Sequence, residues 1–255
     1  MAFLQVGASR IRYDAYGDGP ALILAHGVGG NRVSWFRQVP HFSQRYRVVV
    51  FDHRAFGGSE DVEGEGRSRY VGDLLALLDE LEIETAILVG QSMGGGTCAA
   101  FTCQYPHRVR ALVVADSLAG IQVPEPLASA LRATSEANRQ LSQVERVLGP
   151  SIRLKDPEST HLYLQLATFN SVNVHTVRGV MPRWSPAVLA EAGVPTLFVA
   201  GQSDILFTSA QIAAVQALVP NSHFIEIEDA GHSAYFEQPA RFNAALDAFL
   251  DGLLR

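Results

Sequence analysis

The sequence predicts an α/β fold built on an open, mostly parallel, doubly wound sheet of eight strands. Short runs that are apolar at every position recur along the 255 residues, which suits strands buried on both faces. Segments with apolar residues at helical spacing separate these runs, so strand and helix alternate over most of the chain. With 47% hydrophobic residues and no linker-like stretch, we expect one structural unit.

The strands of this sheet follow from two kinds of pattern. Ala2 to Val6 and Ile11 to Tyr16, with Gly7 between them, predict an antiparallel hairpin at one edge. Five further strands are predicted from apolar runs at Ala21 to Ala25, Val48 to Phe51, Ala86 to Val89, Ala111 to Ala115 and Thr196 to Ala200. A last strand is expected at His223 to Ile227.

Two helices that pack on the sheet are predicted from apolar stripes on one face. A final helix is expected after Pro239, where proline suits the first helical position. The other helix has its stripe at positions i, i+3, i+4, i+7 and i+10, occupied by Val71, Leu74, Leu75, Leu78 and Leu81.

One stretch, Ser117 to Val194, interrupts the alternation because it contains no clear apolar strand run. We therefore expect a core from residues 1–116 and 195–255, with a helical cap at 117–194 inserted after the sixth strand. Long insertions with structure of their own commonly cover a functional site. Its helical stripes are expected at Leu127 to Leu148, His161 to Phe169 and Ala187 to Ala192.

Composition removes several functional classes. A net charge of −6 without a basic block argues against nucleic-acid binding. Lys155 is the only lysine and no P-loop motif is present, which argues against ATP and pyridoxal chemistry. Two cysteines without a C-x-x-C spacing predict no metal site, and we expect no cofactor. No signal-peptide pattern and no run of about 18 apolar residues occur, so we expect a cytoplasmic protein without a membrane partner.

The strongest motif follows the strand Ala86 to Val89. It reads Gly90-Gln91-Ser92-Met93-Gly94-Gly95-Gly96 and leads into a predicted helix. This G-x-S-x-G pattern is typical of a sharp strand-to-helix turn that exposes a serine hydroxyl. The helix N-terminus would favour negative charge developing beside Ser92.

A reactive serine needs a base and an acid, and both follow later strands. Asp204 lies at the end of Gly201-Gln202-Ser203-Asp204, after the strand Thr196 to Ala200. His232 follows the strand His223 to Ile227 on a predicted loop. Asp116, which ends the strand Ala111 to Ala115, is the alternative acid.

The order serine, aspartate, histidine and the segments around it resemble the α/β-hydrolase fold superfamily. The Gly-Gln-Ser-Met-Gly-Gly turn is similar to that of serine esterases and enol-lactonases. Ala55 departs from the family pattern, which has glycine there, and we expect only a small local adjustment. The matching segments are His26 to Gly30, Asp52 to Ser59, Gly90 to Gly94, Gly201 to Asp204 and Ala230 to Ser233.

The resemblance implies a role for each of these residues. Ser92 would be the nucleophile, His232 its general base and then general acid, and Asp204 the partner that orients the imidazole. The backbone N–H groups of Val28 and Met93 would form the oxyanion hole. The candidates for the substrate pocket are Trp35, Phe36, Gln91, Phe169, Trp184 and Ile205.

The expected activity is hydrolysis of a carboxylic ester or lactone of a small, mostly apolar substrate through an acyl-enzyme. One alternative is a hydrolase that splits carbon–carbon bonds in ring-cleavage products. A cationic pocket residue, for which Arg178 and Arg183 are candidates, would favour that reaction. A second alternative is a small-molecule receptor on an intact hydrolase fold. A monomer and a dimer are both compatible with the sequence.

Overall fold

The computed structural model describes residues 2–253 and contains an eight-stranded sheet. The strand order is β1-β2-β4-β3-β5-β6-β7-β8, and every neighbouring pair is parallel except β1–β2 and β2–β4. The predicted eight-stranded, mostly parallel sheet is therefore confirmed. The strands are β1 Ala2–Val6, β2 Ser9–Tyr16, β3 Ala21–Ala25, β4 Arg47–Phe51, β5 Ala86–Gln91, β6 Val109–Ala115, β7 Thr196–Gly201 and β8 Ser222–Ile227.

Helices cover both faces of the sheet, which explains why its central strands are apolar at every position. One face packs against α2 and α3, while the other packs against α11. Outside the segment between β6 and β7, the described α-helices are α1 Val39–Phe42, α2 Tyr70–Glu80, α3 Met93–Gln104, α9 Ser209–Gln216, α10 Ala234–Glu237 and α11 Pro239–Gly252, and short 3₁₀ turns occur at Arg32–Trp35, Gly66–Ser68 and Pro106–Arg108.

The segment between β6 and β7, residues 116–195, is called the inserted segment below. It contains no strand of the sheet and packs part of its apolar surface on the core. Its helices are α4 Leu127–Ala137, α5 Gln143–Val147, α6 Pro150–Lys155, α7 Pro157–Ala167 and α8 Pro186–Glu191.

The stripe predicted from Leu127 to Leu148 is two helices rather than one. The second helix, α5, begins with a capping box, in which Ser142 Oγ accepts from Glu145 N and the Glu145 carboxylate accepts from Ser142 N at 2.9 Å. A capping box stabilises a new helix start because it satisfies two backbone N–H groups at once. The stripe therefore breaks before Ser142, although its apolar spacing continues.

The turn after β4 is held by the buried carboxylate of Asp52. It accepts hydrogen bonds from the backbone N–H of Arg32 at 2.7 Å and of Gly58 at 2.8 Å, and it pairs with the Arg32 guanidinium. Ala55 lies in this turn at φ 66°, the left-handed region that glycine enters without strain. The turn thus keeps the backbone path of a glycine at a cost of about 1 kcal/mol.

Within residues 2–253, no helix combines the length and apolar character needed to cross a membrane. Over the same range, no three His, Cys, Asp or Glu side chains are grouped so that they could hold a metal ion.

The sheet core should dominate stability. Leu112 on β6 is fully buried, whereas Leu154 on α6 is 83% exposed. Leu112→Ala should lower the free energy of unfolding by about 2–5 kcal/mol because it leaves a cavity in a packed core. The matched control Leu154→Ala should change it by less than about 0.5 kcal/mol. Urea denaturation checks both values, and equal losses would contradict the described core.

Candidate active site

Ser92 occupies a tight turn between β5 and α3. Its backbone lies at φ 51° and ψ −116°, a region that side-chain-bearing residues rarely adopt. Two hydrogen bonds hold this conformation: Ser92 N donates to Ala115 O at 2.9 Å, and Ser117 Oγ donates to Ser92 O at 2.6 Å. The strained turn is therefore supported from the end of β6 and leaves the Ser92 hydroxyl half-buried beside α3.

The glycines on either side of Ser92 are required by close backbone contacts. A Cβ at Gly90 would collide with the carbonyl of Gly94, and a Cβ at Gly94 would collide with the carbonyl of Ala25 at the end of β3. The G-x-S-x-G spacing is thus a consequence of how closely β3, β5 and α3 approach one another.

Ser92, His232 and Asp204 form a continuous chain of polar contacts. His232 Nε2 lies 2.9 Å from Ser92 Oγ, and His232 Nδ1 lies 2.9 Å from Asp204 Oδ2. The other carboxylate oxygen of Asp204 accepts from the backbone N–H groups of Leu206 at 2.7 Å and Phe207 at 3.2 Å. These bonds fix the carboxylate, so that His232 can present one nitrogen to the serine while the other faces the acid.

The loop that carries His232 is held by the side chains of Gln91 and Glu237. Gln91 Nε2 donates to the carbonyl of His232 at 2.6 Å. The buried carboxylate of Glu237 accepts from Ser233 N at 3.1 Å and from Gly149 N, in the inserted segment, at 2.8 Å. Burial raises the pKa of Glu237, while these backbone donors oppose the rise.

Asp116 contacts the same loop but not the imidazole. Its fully buried carboxyl accepts from Gly201 N at 2.7 Å and from Ala234 N at 3.0 Å. Burial, reinforced by the nearby charge of Asp204, raises the pKa of Asp116 well above its ordinary value. Both oxygens of Asp116 are thus engaged by backbone amides, and in this structure the acid that contacts His232 is Asp204.

Two backbone N–H groups near Ser92 lack an acceptor. Within residues 2–253, neither Val28 N nor Met93 N donates a hydrogen bond to protein. Met93 is the first residue of α3, where backbone N–H groups have no partner inside the helix. Val28 follows Gly27, where a Cβ would lie 3.0 Å from the Cβ of Ser92. Both amides are consequently available to an oxygen bound beside the serine.

A pair of buried histidines supports the loop that carries Val28. His26 Nε2 accepts from His53 N at 3.0 Å, and His26 Nδ1 lies 2.8 Å from the carbonyl of Gly27. Burial lowers the pKa of both imidazoles, which favours their neutral forms. A neutral His26 that accepts at Nε2 must carry its proton on Nδ1, so it donates to Gly27 O and fixes the loop.

Two cavities meet at Ser92. The first, of about 390 Å³, is lined by Gln91 and His232 from the core, and the second, of about 530 Å³, is lined by Met93. Val28 and Leu206 border both. Much of the remaining wall of each cavity comes from the inserted segment, so a molecule bound at Ser92 would be enclosed between the core and this segment.

Two of the pocket candidates, Trp35 and Phe36, lie elsewhere. Trp35 is fully buried, with its ring 4.2 Å from that of Tyr235 in the core. Phe36 is 38% exposed and packs against Phe236. Both residues line neither cavity at Ser92, because the turn that carries them faces α10 and α11 rather than the serine.

Three further candidates are also displaced from these cavities. Phe169 is 68% exposed and lines neither cavity at Ser92. Trp184 packs against the core and pairs with Ile121 through a β-bridge. Ile205 borders a smaller space beside Asp204 and His232, but neither cavity at Ser92. Of the six candidates, Gln91 is the one that the structure places on the wall beside the serine.

Sequence reasoning missed most of the wall supplied by the inserted segment. The apolar spacing from Leu127 to Leu148 included part of it but gave no sign of which side chains face the site. Arg146 has no distinctive sequence signal, since a charged residue on a short helix ordinarily faces solvent. The residues missed include Leu141, Gln143, Arg146, Val147, Tyr163, Asn170, Val172 and Val174.

A model of the alpha/beta hydrolase fold family matches residues 20–149, and the chain belongs to this family. It is 28% identical over 253 residues to 3-oxoadipate enol-lactonase 2 of Acinetobacter baylyi, covering 94% of this chain and 92% of that protein. A thermophilic esterase from Thermogutta terrifontis superposes with a TM-score of 0.84 at 26% identity, covering 99% and 98% of the two chains. An enol-lactonase from Burkholderia xenovorans, at 22% identity, shares the fold with a TM-score of 0.77 over 98% and 100%.

The contacts around the serine turn can be tested with two glycine substitutions. Gly94→Ala should lower the free energy of unfolding by about 1–3 kcal/mol, because its Cβ would press on the Ala25 carbonyl. The control Gly72→Ala, in α2 with open space around its Cβ, should raise it by about 0.4–1 kcal/mol. Thermal and urea unfolding measure both, and a stabilised Gly94→Ala would refute the described packing.

Proposed function

We propose that this protein is a serine hydrolase that cleaves a carboxylic ester or lactone of a small substrate through an acyl-enzyme. The observation that carries the proposal is the contact chain from Ser92 through His232 to Asp204, positioned where two cavities meet. The names of an enol-lactonase and an esterase among the relatives support the same reaction class.

In the first step, Ser92 Oγ attacks the carbonyl carbon of the substrate while His232 Nε2 takes the hydroxyl proton. Asp204 stabilises the resulting imidazolium through His232 Nδ1. The protonated His232 then gives its proton to the leaving alkoxide, which departs from an ester or stays attached in a lactone. The products of this step are an alcohol and an acyl group bound to Ser92.

In the second step, water replaces the alcohol. His232 removes a proton from the water as it attacks the acyl carbon, and the proton then passes to Ser92 Oγ as the acyl bond breaks. In both steps the carbonyl oxygen gains negative charge, which the N–H groups of Val28 and Met93 would bind. Removing one such donor typically costs about 3 kcal/mol of transition-state stabilisation. The proposed reaction needs no group beyond these side chains, two amides and water.

The proposal also assigns a role to residues 117–194 as a cap. Side chains of this segment supply much of the wall of both cavities, opposite the serine. A cap in this position would exclude bulk water from the reacting carbonyl and limit the size of the substrate.

Carbon–carbon bond hydrolysis of ring-cleavage products is the second candidate. It is favoured by one observation, a cationic side chain, Arg146, on the walls of both cavities. The same Ser92 and His232 would serve it. If the protein cleaves a vinylogous diketone acid much faster than it hydrolyses esters, carbon–carbon bond hydrolysis would be the better assignment.

The role of Ser92 is tested by replacing its hydroxyl. Ser92→Ala should reduce hydrolysis of p-nitrophenyl esters to background, because no other group at the site can form the acyl bond. Burst and steady-state assays with esters of increasing acyl length measure this loss. The preferred acyl length indicates the size of the pocket.

The same variant should melt within about 2 °C of the parent, since the loss of one half-buried hydroxyl leaves the packing of the turn in place. Turnover retained in Ser92→Ala would remove the assignment of nucleophile. Turnover absent from the parent as well would favour the second candidate or a receptor.

The two buried acids are distinguished by matched amide substitutions. Asp204→Asn should lower kcat by about 10⁴, because the amide cannot orient and stabilise the imidazolium in the same way. Asp116→Asn should cause a much smaller loss, since Asp116 contacts the backbone amides of Gly201 and Ala234 and not the imidazole. Steady-state kinetics of folded variants, verified by circular dichroism, decide the matter, and the reverse ranking would make Asp116 the acid of the triad.

A further inference from the structure

Arg146 on α5 lies at the site with a buried guanidinium nitrogen that lacks a hydrogen-bond acceptor within residues 2–253. It borders both cavities that meet at Ser92. Its Nε is buried and has no hydrogen-bond partner among the described residues. The adjacent Glu145 does not supply one, because its carboxylate is engaged in the capping box with Ser142.

Other shielded arginines of this chain are paired with acids. Arg54 Nε lies 2.7 Å from Asp73, and Arg32 Nε lies 2.7 Å from Asp14. A buried guanidinium nitrogen without an acceptor carries a desolvation cost, so such groups ordinarily have a partner in protein, water or ligand. Arg12 Nε is also buried without an acceptor among the described residues, but the Arg12 guanidinium pairs with Asp14 through Nη2. Arg146 forms no ion pair within residues 2–253, and it lies where a molecule bound at Ser92 would be in reach.

The charge of the cavity walls points to the chemistry of that molecule. Arg67 and Arg183 also border the second cavity, and neither forms an ion pair within residues 2–253. No aspartate or glutamate lines either cavity, although acids outnumber lysine and arginine by 26 to 20 in the whole sequence. Positive charge is thus concentrated at the site of a chain whose net charge is −6.

We propose that the substrate carries a carboxylate in addition to the reacting ester or lactone, and that Arg146 binds this carboxylate. The inference rests on the proposed function and names its substrate class. Guanidinium matches a carboxylate with two parallel hydrogen bonds, which supplies orientation as well as affinity. Leu141, Val147 and Leu206 offer apolar wall for the carbon chain between the two groups. The expected apolar substrate is therefore revised to an anionic one with an apolar middle.

The test compares mono-p-nitrophenyl adipate with its methyl ester, in which one added methyl group removes the charge of the free carboxylate. Wild type should hydrolyse the acid with a kcat/KM about tenfold or more above that of the methyl ester. Arg146→Gln should lower this ratio by about tenfold, and Arg146→Lys should restore part of it because the charge returns without the bidentate geometry. Rates are corrected for the hydrolysis measured with Ser92→Ala.

Arg139→Gln is the matched control. It removes the same charge from the same segment, but Arg139 is exposed, lies beside Glu136 and lines neither cavity. It should leave the ratio of the two kcat/KM values within about twofold of wild type. A fall equal to that of Arg146→Gln would mean that the preference for the acid comes from long-range charge and not from a specific contact with Arg146. A ratio unchanged in Arg146→Gln, or a wild type that prefers the methyl ester, would overturn the inference.

Calorimetric titration with adipate separates this inference from the proposed function. Binding that is at least about tenfold weaker in Arg146→Gln than in wild type supports the carboxylate site even if no ester is turned over. Ser92-dependent turnover with a ratio independent of Arg146 retains the hydrolase and rejects the carboxylate site. Neither turnover nor Arg146-dependent binding would reject both.

Discussion

The close approach of three backbone segments around Ser92 is the constraint on which the rest of the site depends. The end of β3, the end of β5 and the start of α3 pack so tightly that Gly90 and Gly94 have no room for a side chain. This packing requires β3 and β5 to be neighbours, as the strand order makes them. Because they are neighbours, the loop after β3 lies beside the serine and brings the Val28 amide to it. The strained turn, the free amides and the helix N-terminus are thus results of one packing arrangement.

The sequence predicted the sheet well because burial on both faces leaves an unmistakable pattern. The run Ala21 to Ala25 is β3 without change, and the run Thr196 to Ala200 differs from β7 by one residue. Helix ends in the inserted segment were harder, since the capping signal at Ser142 competes with a continuous apolar stripe. The wall of the site was harder still. The size of its ring suggested Trp35 as a pocket residue, but its indole packs against Tyr235 in the core. No local sequence pattern reveals which way a side chain on a short helix faces.

The buried acids and imidazoles around the serine have different contacts and different roles. Asp204 faces the imidazole, whereas Asp116 accepts from Gly201 N and Ala234 N, and Glu237 accepts from Ser233 N beside the histidine. Burial lowers the pKa of His26 and His53, because it disfavours their charged forms. Carboxylates that hold backbone amides fix the loop without placing a cation near the reacting carbonyl. The arginines of the site, Arg67, Arg146 and Arg183, belong to the cavity walls.

Glu237 has a consequence for how the two parts of the protein can move relative to each other. Its carboxylate joins Gly149 of the inserted segment to the loop of His232, and a Cβ at Gly231 would collide with the backbone of Gly149. The segment contacts this loop a second time at α7, where Ser233 Oγ donates to the Tyr163 hydroxyl at 3.1 Å. A displacement of the segment at Gly149 or Tyr163 would break hydrogen bonds to Glu237 and Ser233, which support the histidine loop. The alignment of His232 with Ser92 is therefore coupled to the position of the inserted segment.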